Sequence, residues 1–159
     1  LFSMTLSVIM GYFLLGIVTE RLSRFFNMRP ISVGVFGMIL FSLSQFSMAF
    51  GWISSPLLLV SLLGFLGTSN ILIYAGLFQI FPKSYSGRVS TILNVQVFMG
   101  AFIIQWSIGE IIELWSVSEK GYDPASYSFA IGGLALLQVV GLVWFFISQF
   151  YIKNKLQAA

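Results

Sequence analysis

The sequence predicts an all-α polytopic membrane protein with five transmembrane helices. Three observations carry that prediction. Only 8% of the 159 residues are charged, 58% are hydrophobic, and the mean hydropathy is +0.95. A soluble domain carries about 25% charged residues, so these few cannot clothe a water-exposed surface. The charges are clustered, leaving 1–19, 30–82, 89–109 and 124–152 without any. The basic residues, finally, alternate between the loops in the way that five crossings require.

The first span is read at about 1–18. It opens inside an apolar run, with no basic segment before it and Leu1 in place of an initiator. That is not the pattern of a signal peptide, and the expectation is a chain that starts within a longer protein. The 53 uncharged positions of 30–82 would make a helix of about 80 Å at 1.5 Å per residue. A bilayer core is about 30 Å thick, so the run divides into spans at about 30–50 and 57–81. Gly51-Trp52-Ile53-Ser54-Ser55-Pro56 supplies the turn formers between them. Pro30 and Pro56 can each open a helix, because the first turn needs no N–H from them. Pro82 closes the third span, and Pro124 is placed in the loop before the last. The fourth and fifth spans follow at about 89–114 and 127–151, leaving 152–159 as a tail. Strands are not expected. Runs such as Val143-Trp144-Phe145-Phe146-Ile147 are apolar on every side, whereas barrel strands alternate with period two.

Five spans sort the basic residues. Arg21, Arg24 and Arg29, then Lys83 and Arg88, then Lys153 and Lys155 fall on one side, and Lys120 alone on the other. The positive-inside rule makes the first side cytoplasmic, with the C-terminus there and the N-terminus outside. Trp52, Trp115, Tyr122 and Tyr127 form an outer interfacial belt, and Tyr85 and Tyr151 an inner one. In so apolar a chain, a net charge of +3 reports topology rather than a nucleic-acid partner. The partner implied directly is the lipid bilayer, and the location an integral one, in a plasma or bacterial inner membrane.

Enzyme chemistry finds little to work with. Without His or Cys the chain lacks the commonest general base, a thiolate nucleophile and the usual metal ligands. No GxxxxGK[ST] loop is present for ATP. No cofactor is implied.

The segment Gly16-Ile17-Val18-Thr19-Glu20-Arg21-Leu22-Ser23-Arg24 resembles the loop signature of the major facilitator superfamily. That signature has a Gly, an acid four residues later, then Arg and further basic residues. Glu20 stands for the usual Asp, Ser23 for a usual Gly, and Phe25-Phe26-Asn27 breaks the basic run. These departures suit the degenerate copy between helices eight and nine of that family. Pro82-Lys83-Ser84-Tyr85-Ser86-Gly87-Arg88 and the following Asn94 are similar to its connection between helices ten and eleven. The resemblance implies that the five spans are helices eight to twelve of a twelve-helix fold. It also implies a secondary transporter moving a small-molecule solute, with the N-terminal half of the same protein as partner. In the motif, Gly16 would permit close helix approach, and Glu20 could pair with Arg21 or Arg24 or cap a neighbouring helix. Contacts of that kind can form in one conformer and break in another. The plainer reading is that Arg21 and Arg24 hold the segment in the cytoplasm.

No charge lies at mid-bilayer. Glu110 and Glu113 fall at the outer interface, as solvated helix ends or an external gate. Among neutral polar residues, Asn70 sits mid-way along the third span, with Tyr74 one turn further on. Asn94 and Gln105 lie within about 20° of each other on one helix face, with Phe98 and Ala101 in the same stripe. An amide facing lipid leaves its donors and acceptors unpaired. Asn70, Tyr74, Asn94 and Gln105 therefore read as a substrate-path lining, since the resemblance puts helices ten and eleven along the central path. Interhelical hydrogen bonding is the other reading of each. Gln96, about 160° from Asn94, reads as a packing contact, and Gln45 and Gln138 as interhelical bonds. Gly34, Gly37, Gly132, Gly133 and Gly141 read as close helix packing. The alternative function is a small five-span scaffold or assembly subunit without transport activity.

Overall fold

The computed structural model of the chain describes residues 2–118 and 121–157. Its helices run in the order α1 (Phe2–Phe26), α2 (Pro30–Ala49), α3 (Pro56–Gly67), α4 (Asn70–Phe78), α5 (Ser86–Glu113) and α6 (Pro124–Gln157). A 3-10 turn at Lys83–Tyr85 leads into α5. Two short antiparallel strands, β1 (Val117–Ser118) and β2 (Gly121–Tyr122), join α5 to α6. With α3 and α4 taken as one span, five helices among the described residues are long and apolar enough to cross a membrane. The lysine counted on the sparsely basic side, Lys120, lies outside the described residues, as do Leu1, Ala158 and Ala159.

Three boundaries differ from those read in the sequence. The first helix does not stop near 18 but continues to Phe26. No Gly or Pro interrupts 17–26, and Glu and Arg are good helix formers. It ends where Asn27 turns left-handed, at φ 53°, a conformation Asn tolerates. The turn is tied by Met28 N–H donating to the Leu22 carbonyl at 3.4 Å and by Ser23 Oγ donating to the Met28 carbonyl at 2.7 Å. The last helix begins at Pro124, not after it, because the Asp123 carboxylate accepts the Ala125 N–H at 2.9 Å and caps it. It runs on to Gln157, so most of the segment read as a tail is helical.

The third span is broken. After Gly67 the chain turns through Thr68 and Ser69 before α4 starts at Asn70. The Thr68 N–H and hydroxyl both donate to the Phe65 carbonyl, at 3.3 and 2.7 Å, and Ser69 N–H donates to the Leu66 carbonyl at 3.0 Å. These three-residue bonds tighten the backbone and change its direction. By contrast α3 starts as read, with Pro56 in the first turn and Ser55 Oγ accepting the Leu58 N–H at 3.4 Å.

Helices approach through glycines. A Cβ at Gly11 would lie 2.8 Å from the Phe65 carbonyl, and one at Gly64 2.9 Å from the Met4 carbonyl, which locks α1 against α3. Gly34 meets Leu72 and Ile73, Gly37 meets Ser69, and Gly76 meets Ile31, which joins α2 to α4. Small residues let backbones pack closely where lipid supplies no hydrophobic drive. These pairs also give direction. Rising numbers on α1 meet rising numbers on α3, so the two are parallel. On α2 rising numbers meet falling numbers on α4. The same reversal holds between α2 and α6, where Gln138 bonds Met38 and Gly132 lies by Ala49. Successive spans therefore alternate. The end of α1, the start of α2, the end of α4, the start of α5 and the end of α6 share one end of the bundle.

Helix α5 stands apart. None of its residues is buried, and it packs weakly on α6.

Candidate functional site

The Gly16, Glu20, Arg21 and Arg24 motif lies on the last turns of α1, not in a loop. Gly16 is exposed, and a Cβ there would meet nothing within 4 Å. Among the described residues no helix approaches Gly16 closely, whereas Gly11 lies on the face of α1 that meets α3. Glu20, Arg21 and Arg24 are exposed. No ion pair joins them among the described residues. Beside them Thr19 is buried and bonds its own helix, through Oγ1 to the Leu15 carbonyl at 2.6 Å.

The four path residues divide into two pairs. Asn70 is the first residue of α4, directly after the break, and is exposed, while Tyr74 one turn on is half-buried. Asn94 and Gln105 lie on α5, both exposed. The α5 stripe does not pack along α4, so the described residues do not close the two pairs around one cavity. Gln96 is exposed rather than packed, and Glu110 and Glu113 are exposed at the end of α5.

Of the two glutamines read as interhelical, Gln138 is so. Its Nε2 donates to the Met38 carbonyl at 3.3 Å across α6 and α2. Gln45 leaves a buried Oε1 without a partner among the described residues. It lines a cavity of 410 Å³ between α1, α2, α3 and α6, together with Tyr12 and Thr68. Ser42 and Ser69 are likewise buried with unpartnered hydroxyls. Gly34 and Gly37 are close-packed as expected, Gly132 makes ordinary contact with Ala49, and Gly133 and Gly141 face open space.

Thr68 and Ser69 are the polar residues that the span-level reading passed over. Their signal is present in the sequence. Gly67-Thr68-Ser69-Asn70 sets four turn-forming residues in a row inside an apolar run. A cavity of 730 Å³ is also absent from the sequence reading. It lies between α2, α4 and α6 and is lined by Arg29, Gln79 and Gln149 among apolar side chains. Among the described residues no three His, Cys, Asp or Glu side chains gather to hold a metal.

Comparison of the chain with protein-family models, with curated proteins and with solved structures finds no significant match.

Proposed function

We propose that this chain is the C-terminal part of a major-facilitator-like secondary transporter, corresponding to its helices eight to twelve, and that it moves a small solute by alternating access. The observation that carries the reading is the exposure of Asn94 and Gln105 on α5, a helix with no buried residue. In hydrocarbon their amides would be unsatisfied, so that face meets further protein or a water-filled path. A path between this bundle and an N-terminal half supplies both. The motif at the end of α1 and the Pro82–Arg88 connection agree with that arrangement in order and spacing. On the positive-inside rule the basic end is cytoplasmic. The broken third span, with Asn70 at the start of its second half, fits a helix that lines a path, since irregular backbone at membrane depth is tolerated where it borders protein or water.

Asn94→Leu and Asn70→Leu in the full-length protein test the proposal. Each is expected to lower solute uptake more than it lowers the amount of protein in the membrane. Parallel loss of both would assign the amides to folding and overturn the path assignment.

A further inference from the structure

We propose that the cleft between α2, α4 and α6 is a binding site for an anionic phospholipid drawn from the surrounding leaflet. The inference does not depend on the transporter reading. The cavity encloses 730 Å³, within the range of about 300–1,000 Å³ typical of small-ligand sites. Its composition is graded. Arg29, Ser32, Gln79 and Gln149 supply its polar groups, at the start of α2, the end of α4 and the last third of α6. These three segments share the basic end of the bundle. Val35, Phe36, Ile39, Phe145 and Phe146 supply the apolar wall. Arg29 to Ile39 spans about 15 Å along α2, which is the depth of one leaflet of a core about 30 Å thick. A second cavity, of 210 Å³, shares Ile39 and Phe146 and continues the groove between α2 and α6 past Leu43. A polar mouth at the interface above an apolar slot one leaflet deep matches a headgroup above an acyl chain.

Charge selects an anionic headgroup. No Asp or Glu lines the cavity. Arg29 is the N-cap residue of α2, and no side chain caps that helix. Pro30 has no N–H and the Ser32 N–H is given to the Arg29 carbonyl at 2.9 Å, so what this helix start offers the cleft is the positive end of its dipole, beside Arg29. The wider field agrees. Among the described residues Arg21, Arg24, Arg29, Lys83 and Arg88 belong to this end against Glu20, whereas Glu110, Glu113 and Asp123 belong to the other end. Arg29, favoured by the positive end of the α2 dipole, holds the phosphodiester, Gln79 and Gln149 bond the rest of the headgroup, and one chain lies against Phe36, Ile39 and Phe146.

The test is native mass spectrometry of the whole chain, released from nanodiscs of equal phosphatidylglycerol and phosphatidylcholine. The wild type is expected to retain phosphatidylglycerol over phosphatidylcholine. Arg29→Gln is expected to cut that preference about fivefold, while Arg24→Gln, at the same end but outside the cavity, is expected to cut it by less than half as much. Ile39→Trp, which fills the slot, is expected to reduce retention of both lipids. Circular dichroism of each variant excludes unfolding as the cause. Glycerophosphoglycerol, the headgroup without chains, is expected not to displace the lipid. Equal retention of the two lipids by the wild type, an unchanged preference in a folded Arg29→Gln, or displacement by the chain-free headgroup would each overturn the proposal.

Discussion

The tightest contact between α2 and the broken span is at Gly37, and it makes a quantitative prediction. A Cβ added at Gly37 would lie 2.5 Å from the Ser69 Cβ and closer still to its hydroxyl. Carbon atoms settle at about 3.5–4.0 Å, so Gly37→Ala forces α2 and the Thr68-Ser69 turn apart by about 1 Å. Ser69 is fully buried and cannot swing away into open space. Overpacking of this kind costs about 1–3 kcal/mol. Ser69→Gly removes both offending atoms, at a backbone cost of about 0.5–1 kcal/mol. The two substitutions must therefore be strongly non-additive. In the Ser69→Gly background, Gly37→Ala is expected to cost under about 1 kcal/mol, which gives a favourable coupling of about 1–2 kcal/mol, inside the range for residues in contact. Ser69→Ala, which leaves the Cβ, should relieve only part of the penalty. Unfolding by dodecyl sulfate in mixed micelles, followed by the fluorescence of the four tryptophans, measures each term. Equal costs of Gly37→Ala in both backgrounds would refute the packing of the break against α2.

Three further outcomes follow from the same contacts. Gln138→Leu removes the bond from α6 to the Met38 carbonyl and is expected to destabilise the bundle by about 0.6–2 kcal/mol in the same unfolding measurement. Gly11→Ala, against the Phe65 carbonyl at 2.8 Å, is expected to cost about 1–3 kcal/mol, whereas Gly16→Ala, facing open space, should stabilise α1 by up to about 1 kcal/mol; the reverse order would mean that α1 meets α3 through its other face. Because the chain contains no cysteine, single substitutions report sidedness cleanly. Asn27→Cys and Ser84→Cys should react with an impermeant maleimide from one side of the membrane, and Ser54→Cys and Asp123→Cys only from the other.

Much of the span layout was legible because charge in a membrane chain is a coarse signal with a large penalty behind it. Four uncharged runs and three loop signals, Pro30, Ser55-Pro56 and Pro82, suffice to locate five crossings. The boundaries that failed are those where helix-forming residues carry the charge. Glu20, Arg21 and Arg24 read as a loop because they are polar, yet nothing in 17–26 breaks a helix, and the turn waits for Asn27. The break at Thr68-Ser69 escaped for the opposite reason. A hydropathy window averages over Gly67-Thr68-Ser69-Asn70, although the Thr68 hydroxyl and the Thr68 and Ser69 N–H groups bond the preceding turn and bend it. Partnering was the least legible property. Gln45 and Gln138 look alike in sequence, but one reaches a carbonyl across the α2–α6 seam and the other ends in a cavity wall.

Helix α5 carries the largest consequence for function. It is 28 residues long, about 42 Å, and no part of it is buried. Three side-chain amides lie along its length, at Asn94, Gln96 and Gln105. Asn94 and Gln105 share a face, and Gln96 points about 160° away. One covering helix can satisfy one of those directions and leaves the other in lipid, where an unpaired amide costs several kcal/mol. A helix with polar groups on opposite faces is at home only inside an assembly, with protein on one side and protein or water on the other. A scaffold that pairs α5 with a single partner helix leaves Gln96 or the Asn94–Gln105 stripe unaccounted for. A path bordered by two helical halves, as proposed above, would account for both.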